Sequence, residues 1–312
     1  MDKCILCENR SSIKVLQKIK TSKINDLYIR SLGVDVLSEF KNSSEINYVK
    51  CINCNLHFFQ PISNGSSEFY ETLQKATDFY YKNNRYEFFY AKEFIKKSDK
   101  VLEIGAGNAN FAELIDPQEY IGLEYNEEAI REARKKNITL INKSIEKYAE
   151  EKQNYYDVVC SFQVLEHVPN PKDFIEASLK TLKKGGLLIF GVPSAESILT
   201  NNLNHTLNFP PHHITRWYDN CLYKFKDIFD VQIVEIKHEP LVKRFFKNYL
   251  ANSITNRIFR LYLKKKRVIY NDNIVVFMEK LTKKIISKLK LLSHIKLENR
   301  IGESVIMILR KN

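Results

Sequence analysis

From residue 101 onward, short apolar runs alternate with amphipathic stretches of helical period. VLEIG (101–105) reads as a strand and ANFAELI (109–115) as a helix, then YIGLEY (120–125) as a strand. NEEAIREARKK (126–136) reads as a helix with acids in its first turn and bases in its last, matching the helix dipole. TLINKS (139–144), YYDVVCSFQVLEHV (155–168), NPKDFIEASLKTLKKGG (170–186) and GLLIFGVPS (186–194) continue as strand, buried strand with exit loop, helix closed by glycine, and strand. VQIVEIKHE (231–239) and ESVIMILRK (303–311) are late strands, and the stretch between them predicts a mostly helical insertion. Upstream, Phe69, Leu73, Phe79, Tyr86, Phe89 and Phe94 fall at helical spacing over 68–97. The alternation predicts an α/β fold with a doubly wound parallel sheet.

Composition adds a folded core and one unusual segment. Hydrophobic residues make up 44% of 312 positions, and no apolar run reaches the roughly 18 residues of a spanning helix. No hydrophobic signal segment opens the chain, so a cytoplasmic address is expected. Net charge is +12, yet residues 241–300 hold sixteen Lys and Arg against Asp272, Glu279 and Glu298, or +13, leaving −1 for the rest. Within that segment Phe277, Leu281, Ile285, Leu289 and Leu292 share one helical face with lysines opposite. Such a helix lies on an anionic membrane, faces an acidic or phosphorylated partner, or packs on its own domain.

The residues around the glycines specify a ligand. A strand ending in Gly105-Ala106-Gly107 lets a ligand approach the backbone closely. Glu103, two residues earlier, repels a pyrophosphate and suits a cationic ligand; Glu124, at the next strand end, can accept both hydroxyls of a ribose. Together they describe a pocket for a nucleoside with a positively charged far end.

LEIGAGNAN, YIGLEYN, VVCSFQVLEHVPNP and KKGGLLIFGVPS resemble, in order and spacing, the class I methyltransferases that use S-adenosylmethionine. The resemblance implies a Rossmann-like seven-stranded sheet and a cofactor that is a nucleoside bearing a sulfonium and an amino-acid tail. It also implies that Gly105 and Gly107 pass the methionine moiety, Glu124 holds the ribose, and Gln163 and Leu165 lie beside the methyl donor. Ala106, Asn108 and Tyr125 belong to the same cofactor-binding set. Where the family usually places an Asp against adenine, this chain has Lys143 and Ser144, so Ser144 or the Ile145 backbone takes that position.

Cys4 and Cys7, with Cys51 and Cys54, form two C-x-x-C pairs; in a reducing compartment such pairs point to a tetrahedral zinc site. Asn55 falls where a zinc knuckle wants a left-handed residue. The module (1–62) resembles the N-terminal zinc module of a group of bacterial sugar methyltransferases, which implies a small carbohydrate acceptor; four closed thiolate ligands leave no position for substrate, so a structural metal is expected. The turn-rich join QPISNGSSE (60–68) and the break in pattern after residue 239 divide the rest into a methyltransferase domain, 63–240 with 301–312, and a basic insertion, 241–300. His57 is the competing ligand; Cys160 and Cys221 read as core.

Methyl transfer to a sugar hydroxyl needs a base near neutral pH, and histidine fits. Glu166-His167 follows the fourth strand of the domain and His212-His213 the fifth. PPHHITRWY resembles the PRHLYHF stretch of the same bacterial family, which favours His213 as base, His167 next, with Glu166 beside them. A histidine packed beside Trp217 in the core is the bland alternative. The competing functions are an RNA methyltransferase, disfavoured by the lack of an Asn/Asp-Pro-Pro-Tyr/Phe motif or a Pro-Cys pair, and a non-catalytic cofactor-binding module.

Overall fold

The computed structural model describes residues 3–77, 85–197, 200, 202–263, 268–269, 272–288 and 300–312. Three strands come first: β1 (Ile13–Lys20), β2 (Glu45–Cys51) and β3 (His57–Gln60). Five follow in the middle, β4 (Lys100–Ile104), β5 (Glu119–Leu123), β6 (Leu140–Ile141), β7 (Tyr156–Phe162) and β8 (Leu182–Pro193). The last are the two-residue β9 (Thr215–Arg216), then β10 (Val231–Pro240) and β11 (Ile301–Lys311).

Seven of these make one sheet in the order β10-β11-β8-β7-β4-β5-β6. β4 to β8 run parallel, and β11 is antiparallel to both its neighbours. Parallel strands covered on both faces need apolar side chains on both, which explains why β4 and β7 read as unbroken apolar runs. Their carboxyl ends line up on one edge, and the glycine turn, Glu124 and the loop after β7 all leave from it.

β1, β2, β3 and β9 form a second, antiparallel sheet. β9 lies between β8 and β10 in the chain, so the stretch after β8 completes the N-terminal sheet by pairing with β3. One apolar core is continuous from Cys4, Cys51 and Cys54 through Trp217 and Cys221 to Leu102, Leu188 and Met307 in the large sheet.

Three expected elements differ. ANFAELI is not an α-helix but a turn leading to a 3₁₀ segment, Ala112–Leu114. Gly107 (φ 52°) and Ala109 (φ 58°) both take left-handed backbone, which interrupts a right-handed helix twice, and Ile115 is extended again before Pro117. The glycine turn is therefore not backed by a helix. The helix Pro171–Thr181 ends before the glycines, because Leu182 is already extended and pairs with Tyr156; Gly185 and Gly186 lie inside β8. Over 68–97 the helical spacing yields Ser67–Ala76 and Tyr86–Ala91, with Phe79 outside the described residues. The insertion between β10 and β11 is helical, with Phe246–Leu263 and Asp272–Lys288; Leu289 and Leu292 lie outside the described residues.

Candidate active site and cysteine cluster

The glycine turn is held by the strand beside it. Gly105 and Ala106 donate their N–H groups to the Leu123 carbonyl at 2.8 and 3.1 Å. Gly105 has φ +73°, and a Cβ built there meets Val164 Cγ2 at 2.4 Å, so only glycine fits against the loop that follows β7. Gly107 N–H donates to Glu124 Oε2 at 2.7 Å, and Tyr125 and Asn126 N–H both donate to Glu124 Oε1 at 2.8 Å. A carboxylate has about four lone-pair positions. Three are taken here, which leaves one open to a further donor.

Glu103 is buried in β4, with the Tyr120 hydroxyl donating to it at 2.5 Å; burial pushes its pKa up to about 8. It is therefore mostly protonated at neutral pH. Asn108 and Tyr125 are exposed on the rim, the Tyr125 hydroxyl reaches Ser144, and Ser144 caps the helix Ile145–Glu151 by accepting from Lys147 N–H. Glu103, Gly105, Ala106, Gly107, Glu124, Tyr125 and Ser144 therefore all surround the edge formed by β4, β5 and β6.

The loop after β7 reaches from that turn to the histidines. Gln163 (φ 58°) donates its backbone N–H to Gly191 O and its amide Nε2–H to Glu87 Oε1, at 2.7 Å each, while Leu165 is buried. Glu166, 1% exposed, has no hydrogen-bond partner for either carboxylate oxygen among the described residues. Burial raises its pKa to about 8. Its Oε1 lies 3.7 Å from His167 Nε2 and 3.9 Å from His213 Nε2.

Both imidazoles are oriented by oxygens on the other side. His167 Nδ1–H donates to the His212 carbonyl at 2.7 Å, and His213 Nδ1–H donates to Asn208 Oδ1 at 3.1 Å. Each Nε2 is thereby left with its lone pair facing Glu166. Burial lowers the His167 pKa to about 4 and the His213 pKa well below the ordinary value, with neighbouring imidazoles adding to the latter, so both rings are neutral at pH 7. Glu166, His213, Asn208 and Arg216 line a narrow cavity with Pro193 and Ala195. The buried Arg216 guanidinium lies 5.0 Å from the Tyr48 ring centre and 5.6 Å from that of Phe59. His167, His212 and His213 each place a ring nitrogen within 4.8 Å of the others. The rings of His212 and His213 stack at 19°, however, and lone pairs in two nearly parallel planes do not converge on one ion.

Four residues of this centre were not singled out in the sequence: Glu87, Asn208, Arg216, and Tyr70, whose hydroxyl lies 3.3 Å from His167 Nδ1. Tyr70 and Glu87 fall in the stretch read only for its helical spacing and Arg216 in PPHHITRWY, where the histidines drew the reading; only the fold brings them to the loop.

The four paired cysteines do meet. Cys4 and Cys54 Sγ are 3.6 Å apart, as are Cys7 and Cys51, and all four sulfurs lie within 4.8 Å of one another. Tetrahedral ligands about 2.3 Å from zinc stand roughly 3.8 Å apart, so the spacing fits that ion and not a disulfide. Each pair closes the same turn: Glu8 N–H donates to Cys4 O at 3.0 Å and Asn55 N–H to Cys51 O at 2.9 Å. Glu8 and Asn55 both have left-handed backbone (φ 56° and 63°). His57 is not in the cluster of four sulfurs: its Nδ1 pairs with the Tyr48 hydroxyl at 2.8 Å and its ring packs against Tyr218 at a 42° tilt.

Residues 77–227 match a family model described as a methyltransferase domain. Over that segment, just under half of the chain, the sequence is that of a methyltransferase domain. A 99-residue stretch is 34% identical to a ubiquinone biosynthesis O-methyltransferase of Aliivibrio fischeri, covering 29% of this chain and 42% of that one. The enzyme of the same name from Erwinia tasmaniensis is 26% identical over 172 residues, 47% of this chain and 68% of that one. The chain thus spans less than half of the first relative's length. A solved S-adenosylmethionine-dependent methyltransferase from Archaeoglobus fulgidus superposes with a TM-score of 0.49 at 17% identity, covering 78% of this chain and 100% of that one.

Proposed function

We propose that the protein transfers the methyl group of S-adenosylmethionine to a hydroxyl of a small, polyhydroxylated acceptor, a sugar or nucleotide sugar, with His213 as general base. The observation that carries this reading is the loop after β7. Val164 packs on Gly105 of the cofactor turn, and two residues later Glu166 lies between two neutral imidazoles.

S-adenosylmethionine supplies an activated methyl carbon, and the turn fits it: glycine is required at 105, and acids stand at 103 and 124. The chain positions the acceptor and takes its proton. His213 Nε2 is neutral, and it faces the cavity in which an acceptor hydroxyl would lie. As it accepts the proton, an imidazolium forms 3.9 Å from Glu166 Oε1, and an ionised Glu166 stabilises that charge. His167, held through Nδ1, is the second base. Asn208 fixes the His213 tautomer and acts as a positioning residue.

Glu166, Asn208, Thr215 and Arg216 give this cavity a polar lining in which only Pro193 and Ala195 are apolar, which supports a hydroxyl-bearing acceptor; at about 10 Å³ it takes a single hydroxyl and not a whole sugar ring. The names of the curated relatives favour a second reading, a phenolic quinone precursor. Cys4, Cys7, Cys51 and Cys54 would hold a structural zinc with no position left for substrate.

Incubation with isotopically labelled cofactor and a panel of nucleotide sugars and prenylated catechols, read by mass spectrometry, tests the reading. Methylated sugar is the expected product. Methylated catechol alone replaces the acceptor, and no methylated product with cofactor bound overturns the enzymatic reading.

A further inference from the structure

The apolar row on the second insertion helix is not the face that packs. Asp272–Lys288 meets Phe246–Leu263 through buried Val275, Thr282 and Ile286, with the Thr282 and Thr255 hydroxyls 3.1 Å apart. Ile274, Phe277, Leu281 and Ile285 are instead 54%, 64%, 40% and 52% exposed. At about 100° per residue they fill a stripe roughly 80° wide, set about 110° around the helix from the packed face. Lys280 and Lys284, both exposed, border the stripe on its far side. The first helix repeats the arrangement with Ile254, Ile258 and Leu261, of which Leu261 is 71% exposed, beside Arg257.

Charge identifies the occupant. The two helices carry seven Lys and Arg against Asp272 and Glu279, and Glu279 is turned inward, accepting from Asn202. Two copies of so basic a face repel each other. Nucleic acid or an acidic peptide answers the lysines but leaves the aliphatic and aromatic stripe in water. A surface of anionic lipid headgroups over acyl chains satisfies both. No helix among the described residues is long and apolar enough to cross a membrane.

We propose that this helical pair docks the protein flat on an anionic membrane surface, with the Ile274–Phe277–Leu281–Ile285 stripe in the acyl boundary and the lysines on lipid phosphates. The inner face of the pair packs on Leu203 through Phe259 and Val275. Leu203 begins the segment that leads to His212 and His213, so docking would bring the acceptor side of the active site beside the lipid.

Vesicle flotation of the full, zinc-loaded chain tests this, using phosphatidylcholine with and without about one-third phosphatidylglycerol. Expected is at least about tenfold greater retention on the anionic vesicles, reduced by high salt. Phe277→Ser with Ile285→Ser, and separately Lys283→Glu with Lys284→Glu, should each lower retention about tenfold, while thermal melting and cofactor calorimetry stay unchanged. Equal weak retention on both vesicles, or a serine variant that binds like the parent, overturns the proposal. So does a dimer, seen by light scattering, that the serine variant abolishes without any vesicle binding. Because cofactor binding is read separately, loss of docking and loss of methyl transfer remain distinguishable.

Discussion

Glu166 is a buried carboxyl whose oxygens meet no donor among the described residues, flanked by two neutral imidazoles, and its surroundings set a direction for pH. The charged groups that reach it are Arg85, which favours ionisation, and Glu87, which opposes it; burial, the largest effect, acts in the same direction as Glu87, outweighs Arg85 and leaves the pKa at about 8. His213 stays unprotonated over the neutral range because its own pKa is depressed. Turnover should therefore rise as pH increases toward 8 and level off above it, following ionisation of Glu166 and not of His213. Glu166→Gln should flatten that limb, and His213→Gln should lower kcat by about 10² to 10⁴, with cofactor affinity by calorimetry within about twofold of the parent. Stability moves the opposite way. A folded-state pKa raised above the unfolded value favours the protonated fold, so the contributions of Glu166 and Glu103 are full below about 4.5 and are lost as pH rises through about 8. Glutamine at either position should make the melting temperature less dependent on pH in that window. With Glu103 proposed to face the sulfonium, cofactor affinity measured by calorimetry should gain from the same rise, since an ionised carboxylate attracts that cation and a protonated one does not.

At the level of elements, the cofactor edge depends on two loops that touch. Gly105→Ala adds a methyl group against Val164 in a backbone conformation that alanine avoids, so it should abolish measurable cofactor binding while the helices and strands persist by circular dichroism. Restoring space with Val164→Ala in the same chain should recover only part of the affinity, because the left-handed strain remains. These loops were legible in the sequence because a parallel strand buried on both faces is an unbroken apolar run, and because Gly105, Gly107 and Glu124 sit at the ends of such runs. The helix expected after the turn was not legible, since the apolar spacing of Phe111, Leu114 and Ile115 is that of a helix and only the backbone of Gly107 and Ala109 says otherwise. β9 is two residues long and exists because β3 pairs with it; no local pattern announces such a strand. The insertion helices followed from periodicity. Their exposed apolar row did not, because a hydrophobic stripe by itself does not say whether protein or solvent faces it.

For the whole molecule, the cysteine cluster and the Glu166 loop are joined through strand pairing and backbone hydrogen bonds. Cys51 ends β2, β2 pairs with β3, and Phe59 N–H of β3 donates to Ile214 O at 3.1 Å. Ile214 N–H in turn donates to the Glu166 carbonyl at 2.9 Å, and Thr215 Oγ1–H to the Leu165 carbonyl at 3.4 Å. Arg216, in the acceptor cavity, rests on Tyr48 and Phe59 from the same sheet. A metal held by the four cysteines would hence brace the acceptor side of the site, although no ligand position is open to substrate. The cofactor edge takes its support from β4, β5 and β7 instead. Removing the metal with a thiol-reactive mercurial and chelator, or replacing Cys51 by Ser, should therefore separate the two halves of the reaction. One equivalent of zinc should be released and melting should drop by several degrees, with cofactor affinity changed by less than about threefold, while turnover falls tenfold or more. Proportional loss of cofactor binding and turnover would instead mean that the cluster supports the fold as a whole, and that the path from Cys51 through β3 to Glu166 has no separate part in orienting the base.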